Sequence, residues 1–295
     1  MTGATAGRHV LVMAKSPIAG RVKTRLCPPL SMVQAADVAE AALADTLEAV
    51  ASCAADRRVV ALDGPVGPWL PEGFELIAQR GSAFDERLAN AWADTGGSGI
   101  QIGMDTPQVT AGLIDTVLAL LDEGTGHASA PGRAGAASRT GLAAGRAGLA
   151  GGGAAGGGLA AVLGHAGGGL AAVLGHAADG GWWVIGLPLD IDPHRVFCGV
   201  PMSESFTGAA QERRLGSLGL EVRRAPLLRD IDTVEDLAWV TADAPATRTA
   251  AVARHLSLTT GRAPAEMAAN ARADMVHGDL VRRSRVEMAH QDVAR

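Results

Sequence analysis

Residues 9–31 read HVLVMAKSPIAGRVKTRLCPPLS. His9 to Ala14 is a short apolar run, the pattern of a buried strand. It stops at a charged loop containing Pro and Gly, Lys15 to Pro29. Ser31 then opens a helix, with Gln34 three residues on in capping-box position. Leu43, Leu47 and Val50 carry that helix to about Ser52. Working outward, Arg58 to Leu62 and Phe74 to Ala78 read as strands. Phe84, Leu88, Ala91 and Trp92 recur at helical spacing, Ser98 to Met104 is a strand ending at Asp105, and Val109 to Leu121 is apolar at helical period. Strand and helix alternate, which predicts an α/β fold with a mostly parallel, doubly wound sheet and helices on both faces.

The rhythm breaks between Gly124 and about Gly169, where the chain is almost entirely Gly, Ala, Leu, Ser and Arg. Gly156 to Ala166 reads GGGLAAVLGHA, and Gly167 to Ala177 repeats it letter for letter. Two copies make no solenoid, so the stretch at about 124–169 reads as a low-complexity insertion. One copy can fill a strand position, and the second, Leu170 to Gly175, is expected there because it runs directly into Asp179-Gly-Gly-Trp-Trp. Strands follow at Trp182 to Leu187 and Leu220 to Ala225. Helices are expected over Ser203 to Leu218, over Thr233 to Val240 with its TVED start, and over Thr247 to Leu256. The expected organisation is one domain over residues 1–260, followed by a polar tail or appended helix over 261–295.

Composition narrows the function. Lys and Arg total 26 against 31 Asp and Glu, a net charge of −5, so no basic excess points to a nucleic-acid polymer. Cys27, Cys53 and Cys198 lie far apart, against a disulfide scaffold or zinc site. The longest stretch without Lys, Arg, Asp or Glu, Ala147 to Ala178, holds twelve glycines in 32 residues, a poor membrane span. Val10 to Ala14 is too short for a secretory signal. A cytoplasmic protein is expected.

Four clusters could carry chemistry. Lys15, Arg21, Lys23 and Arg25 lie within eleven residues between a strand end and a helix start. Ligands of open α/β sheets sit at that edge, and concentrated cations there suit a di- or triphosphate, with Gly20 allowing close backbone approach. Lys23-Thr24 lacks the glycine of a P-loop. Asp105 follows a strand within GMDTP, where it is either an Mg²⁺ ligand or a helix cap. In RDIDTVED (229–236), Asp230 or Asp232 could supply a second carboxylate to a metal held by Asp105; the alternative is a helix cap at Asp232. In Asp179-Gly180-Gly181-Trp182-Trp183 the glycines suit a tight turn or close approach to a ligand, and one of the two Trp rings could stack on a base or sugar. Asp85 and Arg87, near a helix start, could face a nucleotide. GxSxG and HExxH patterns are absent, which argues against a serine-hydrolase elbow and a zincin, and the glycine run 151–153 does not match GxGxxG after a strand, so a Rossmann dinucleotide site is unsupported.

The segments LVMAKSPIAGRVKTRLCPPLS (11–31), RGSAFDERLANA (80–91), IGMDTPQ (102–108), LGHAADGGWWVIGL (174–187) and RDIDTVEDL (229–237) together resemble a bacterial family of GT-A-fold nucleotide-diphospho-sugar transferases. In the same order they are similar to phospholactate guanylyltransferases and, more distantly, to molybdenum-cofactor nucleotidyltransferases. The resemblance implies a GT-A-like fold with a nucleotide across the carboxyl edge of the sheet. Lys15, Arg21, Lys23 and Arg25 would hold the diphosphate, and Asp105 and Asp232 would ligate Mg²⁺ or Mn²⁺. The chain departs from a glycosyltransferase DxD at Pro107, and the duplicated insertion near Asp179 has no counterpart in the family pattern.

The expected activity is a Mg²⁺-dependent transfer from a nucleotide-activated donor to a small-molecule acceptor. Asp105 and Lys23 would work at the departing diphosphate, Gly20, Arg87, Gly180 and Gly181 would line the donor, and Asp179 would serve as general base. Two rival readings are nucleotidyl transfer with release of pyrophosphate and a non-catalytic nucleotide-binding module.

Overall fold

Strand β1 (His9–Lys15) is buried at every residue but Lys15, as its unbroken apolar run requires of a strand covered on both faces. A computed structural model describes residues 7–122 and 170–256, and β1 lies inside its seven-stranded sheet. The other strands are β2 (Arg57–Asp63), β3 (Glu75–Ala78), β4 (Gly99–Ile102), β5 (Ala171–Ala177), β6 (Trp182–Leu187) and β7 (Glu221–Leu228). Their order is β3-β2-β1-β4-β6-β5-β7. The chain steps outward from β1 through β2 to β3, then returns to place β4 on the other side of β1. The order reverses there, and in open α/β sheets ligands bind beyond the carboxyl ends of the strands at such a reversal.

All neighbours pair in parallel except those of β6, which runs antiparallel to β4 and to β5. The cause is local. Only four residues, 178–181, join β5 to β6, and so short a connection can close only an antiparallel pair.

Helices cover both faces. On one side α1 (Met32–Ala51) and α3 (Ala111–Asp122) pack on Val10, Val12, Val60, Ile100 and Val173. On the other, α2 (Phe84–Thr95), α4 (Pro193–Phe197) and α5 (Thr207–Ser217) pack on Leu11, Met13, Val59, Leu174 and Ile185. Successive residues of one strand thus feed opposite layers. The predicted capping box holds: Ser31 Oγ accepts from Gln34 N, and Gln34 Oε1 accepts from Ser31 N.

A third apolar cluster lies beyond the sheet edge. Leu26 and Leu30 of the basic loop and Val38 of α1 meet Ile231, Leu237 and Val240, together with Ala253 of α7 (Arg248–His255). Leu237 and Val240 belong to α6 (Val234–Asp243). This cluster brings the loop after β1 against the segment after β7.

Several boundaries differ from expectation. Helix α4 was not expected, although Asp192 at its N-cap and Pro193 at its first position are a start signal. Helix α5 begins at Thr207 rather than Ser203, because Ser203 sits in the left-handed region at φ 61° and turns the chain first. The second repeat copy does supply β5, with Leu170 exposed just before it. The first copy, the rest of the stretch at 124–169 and the segment 261–295 lie outside the described residues.

Candidate functional site

The segments that follow β1, β4, β5 and β7 meet at the carboxyl edge of the sheet. β5 and β7 are adjacent and parallel, with Ala177 opposite Leu228 and Ala178 N donating to Leu228 O at 2.9 Å. Asp179 and Asp230 therefore emerge side by side. Two ties draw the segment after β7 across to the loop after β4: Ile231 N donates to Asp105 O at 3.0 Å, and Gln108 Nε2 donates to Arg229 O at 2.9 Å. The third apolar cluster then presses the basic loop onto both.

Lys23 stands at the meeting point. Its Nζ lies 2.6 Å from Asp105 Oδ2 and 3.3 Å from Asp232 Oδ1, and its side chain is only 10% exposed. Burial works against its charge, but Asp105 and Asp232, with Asp230 behind them, outweigh burial and raise its pKa. Arg25, much more exposed, pairs with Asp232 at 3.2 Å.

Asp179, Asp230 and Asp232 each offer a carboxylate oxygen within 4.8 Å of the other two. Burial first, then the charges of Asp105, Asp179 and Asp232, push the Asp230 carboxyl up to about 7. An all-oxygen set of carboxylates suits a hard divalent ion such as Mg²⁺ or Mn²⁺, and like charges held this close gain most from a cation.

Neither acid serves as a helix cap. Thr233 is the N-cap of α6, with its Oγ1 accepting from Asp236 N at 3.2 Å, and this frees Asp232. Thr110 Oγ1 accepts from Leu113 N at 3.2 Å at the start of α3, and this frees Asp105. Asp236 is itself held by Arg229 Nη1 at 2.8 Å.

The remaining predicted residues separate into two groups. Lys15 ends β1 and Arg21 reaches Asp63 at 4.0 Å, both on the exposed rim of the same loop. Gly20 has φ 79° with open space where a Cβ would point, so its requirement is conformational. Gly180 has φ 94°, and a Cβ there would lie 1.8 Å from Ser205 O. The approach its glycine permits in the structure is that of the segment leading into α5. Asp179 Oδ1 accepts from Gly181 N at 2.7 Å, which orients the carboxylate.

The Arg87 guanidinium lies 5.4 Å from the Phe84 ring centroid. Asp85 accepts from Gly199 N at 2.8 Å. Of the two Trp rings, Trp183 packs inward, 2% exposed and donating from Nε1 to Pro226 O at 2.8 Å, while Trp182 is half-buried with its ring 6.3 Å from that of Phe197.

Sequence reading did not single out Gln108, Arg229 or Asp236 as ties, and it left Asp230 as an alternative to Asp232. The signal for Asp230 was its two-residue spacing from Asp232. For Gln108 there was none, because its partner is a backbone carbonyl 121 positions away.

A family model described as an uncharacterized protein conserved in bacteria (DUF2064) matches residues 32–134 and 159–204. The chain belongs to this family. Among solved structures, the DUF2064 chain is similar to a protein from Desulfovibrio desulfuricans G20 titled as a candidate nucleotide-diphospho-sugar transferase. The two are 22% identical over 85% of this chain and 96% of that one, with a TM-score of 0.63. At that identity the likeness shows the fold alone, an α/β architecture shared with that protein. Two further structures match at a TM-score of 0.40, too distant to bear on function. One is Rv0371C from Mycobacterium tuberculosis H37Rv complexed with manganese, 15% identical over 80% of this chain and 98% of that one. The other is CMP:2-keto-3-deoxy-manno-octonic acid synthetase complexed with CTP, 12% identical over 81% and 98%. No curated protein matches the sequence. No helix among the described residues is long and apolar enough to cross a membrane.

Proposed function

We propose that this chain is a transferase that uses a nucleotide-activated donor, with the donor's phosphates at the carboxyl edge of β1 and β4. The observation that carries the reading is the convergence of Lys23 with Asp105 and Asp232, at 2.6 and 3.3 Å, where the strand order reverses. Lys23 supplies a buried positive charge to the phosphates, and Lys15, Arg21 and Arg25 supply the exposed rim. Gly20 keeps the loop in its turn.

The carboxylates Asp105, Asp179, Asp230 and Asp232 would hold Mg²⁺ or Mn²⁺. When bound, that ion neutralises charge growing on the departing diphosphate. Most of the rate then comes from positioning and electrostatics supplied by residues already fixed in place. Asp179 sits within the acid set, so ligation accounts for its position more directly than a role as general base.

Sugar transfer from a nucleoside-diphosphate sugar is the leading reaction, in line with the family resemblance of the five segments. Nucleotidyl transfer is the second reading, favoured by four cations in the loop after β1, more than a diphosphate alone requires. Pyrophosphate release from GTP or CTP would mark the second; consumption of a UDP- or GDP-sugar would mark the first.

A thermal-shift screen of nucleotides and nucleotide-sugars with and without Mg²⁺ tests the core of the reading. A ligand at 100 times its Kd adds about 2.7 kcal/mol of stability. The expected result is a shift that needs nucleotide and metal together and is lost in Asp105→Asn. If no nucleotide shifts the wild type, or if Asp105→Asn responds to the metal as the wild type does, the site assignment fails.

A further inference from the structure

Of the 26 basic residues only two are lysines, Lys15 and Lys23, at the end of β1 and in the loop that follows; all the others are arginines. Outside this strand end and loop the chain uses arginine alone, and the buried cation against Asp105 and Asp232 is one of its two lysines. The two side chains differ in what they can do there. Arginine presents a rigid planar fork suited to fixed paired contacts. Lysine presents a compact ammonium on a flexible stem, free to change partners.

The backbone points the same way. Lys23 sits at φ 47°, ψ 35°, in the left-handed region that side-chain-bearing residues adopt uncommonly. Such conformations persist where surrounding contacts hold them, and they recur at switch positions. Here the contacts are the ion pairs to Asp105 and Asp232 and the packing of Leu26, three residues on, against Ile231.

Position then sets up a competition. The ammonium lies within contact distance of both Asp105 and Asp232, so it fills the place from which a cation would reach the two together. A divalent ion ligated by that pair and the Lys23 ammonium exclude each other by contact and by repulsion. Arg25 also pairs with Asp232, but it is 71% exposed, and water screens its charge.

We propose that Lys23 is a built-in counter-cation: its ammonium neutralises Asp105 and Asp232 until donor phosphates draw it away, so that metal and phosphate load together and metal alone binds weakly. The proposal rests on the reading of this edge as a nucleotide and metal site. It adds an order of events that reading does not contain. The chain gains protection from metal without donor, and the charge released from the carboxylates is delivered to the phosphates.

Calorimetric titration with MnCl₂ alone tests the first half. Lys23→Gln is expected to bind Mn²⁺ about tenfold or more tightly than the wild type. Lys23→Arg, which keeps the charge, is expected to match the wild type, and Arg25→Gln to change affinity by no more than about threefold. Equal or weaker Mn²⁺ binding by Lys23→Gln overturns the proposal.

The second half needs no variant. With ¹⁵N-lysine labelling the wild type gives two side-chain ammonium signals, one for each lysine. The Lys23 signal is expected to stay in place with MgCl₂ alone and to shift when GDP or UDP is added with MgCl₂. A signal displaced by MgCl₂ alone, or unmoved by a nucleotide that binds, overturns the proposal while the underlying reading stands. Failure of every one of these proteins to bind Mn²⁺ or nucleotide overturns both.

Discussion

Two single residues show how far burial alone reaches. His9 lies fully buried in β1, edge-on to Trp92 at 4.8 Å. Burial, aided by the charge of Arg57, lowers its pKa from 6.5 to about 4. The fold therefore favours neutral His9. Its contribution is complete above pH 6.5 and is lost as pH falls through about 4, a total of ~3 kcal/mol. Between pH 7.5 and 5 the raised Asp230 carboxyl titrates in the opposite sense, so the His9 contribution is read from the difference between wild type and His9→Leu in urea denaturation. The stability of the wild type relative to His9→Leu should fall toward acid pH, and a pH-independent difference would remove His9 as a source of pH dependence. Gly180 shows the opposite limit, a place where no side chain fits. Gly180→Ala meets both the positive φ and the Ser205 carbonyl, and should cost ~2–4 kcal/mol by denaturant titration. Gly112→Ala on α3, with nothing within 4 Å of the added Cβ, should instead be neutral or stabilise by ~0.5 kcal/mol.

The helix starts differ in what their caps support. Ser31 caps α1 at the end of the basic loop. Thr233 caps α6 and also donates from Oγ1 to Asp236 Oδ2 at 2.8 Å, and that same carboxylate oxygen accepts from Asp232 N at 3.4 Å. Either residue changed to Ala should lose ~1 kcal/mol of stability. Only Thr233→Ala should also weaken metal-dependent nucleotide binding, because it loosens the segment that presents Asp230 and Asp232. Equal binding losses in both variants would mean that the effect is general instability. Capping residues were legible from local sequence in both cases, since a cap depends on residues three apart. The direction of β6 was not read from its own residues, yet the four-residue connection before it determines it.

At the scale of the whole molecule, the eleven-residue duplication makes a direct prediction. Because the copies are identical, deleting either leaves the same product, with one LAAVLGHA to form β5. The connection from α3 to β5 shortens by eleven residues, a change in closure entropy of only a few tenths of a kcal/mol. The melting temperature should move by no more than about 2 °C. A much larger fall would show that both copies contribute to the fold. The acid cluster is likewise a property of the whole molecule. Asp105, Asp179 and Asp230 leave three different strands, and Asp232 and Lys23 join them through the apolar cluster around Leu26 and Ile231.

Periodicity and caps were enough to establish the alternation of strand and helix, the α/β class, and the position of each chemical cluster just past a strand end, because each of these follows from residues near one another in the chain. The pairing of Lys23 with Asp105 and Asp232, the grouping of Asp179 with Asp230, and the inward packing of the Trp183 ring were settled only by the tertiary structure. Those contacts span as many as 209 positions. They depend on which strands lie side by side and which apolar faces close on each other, and no local pattern encodes either.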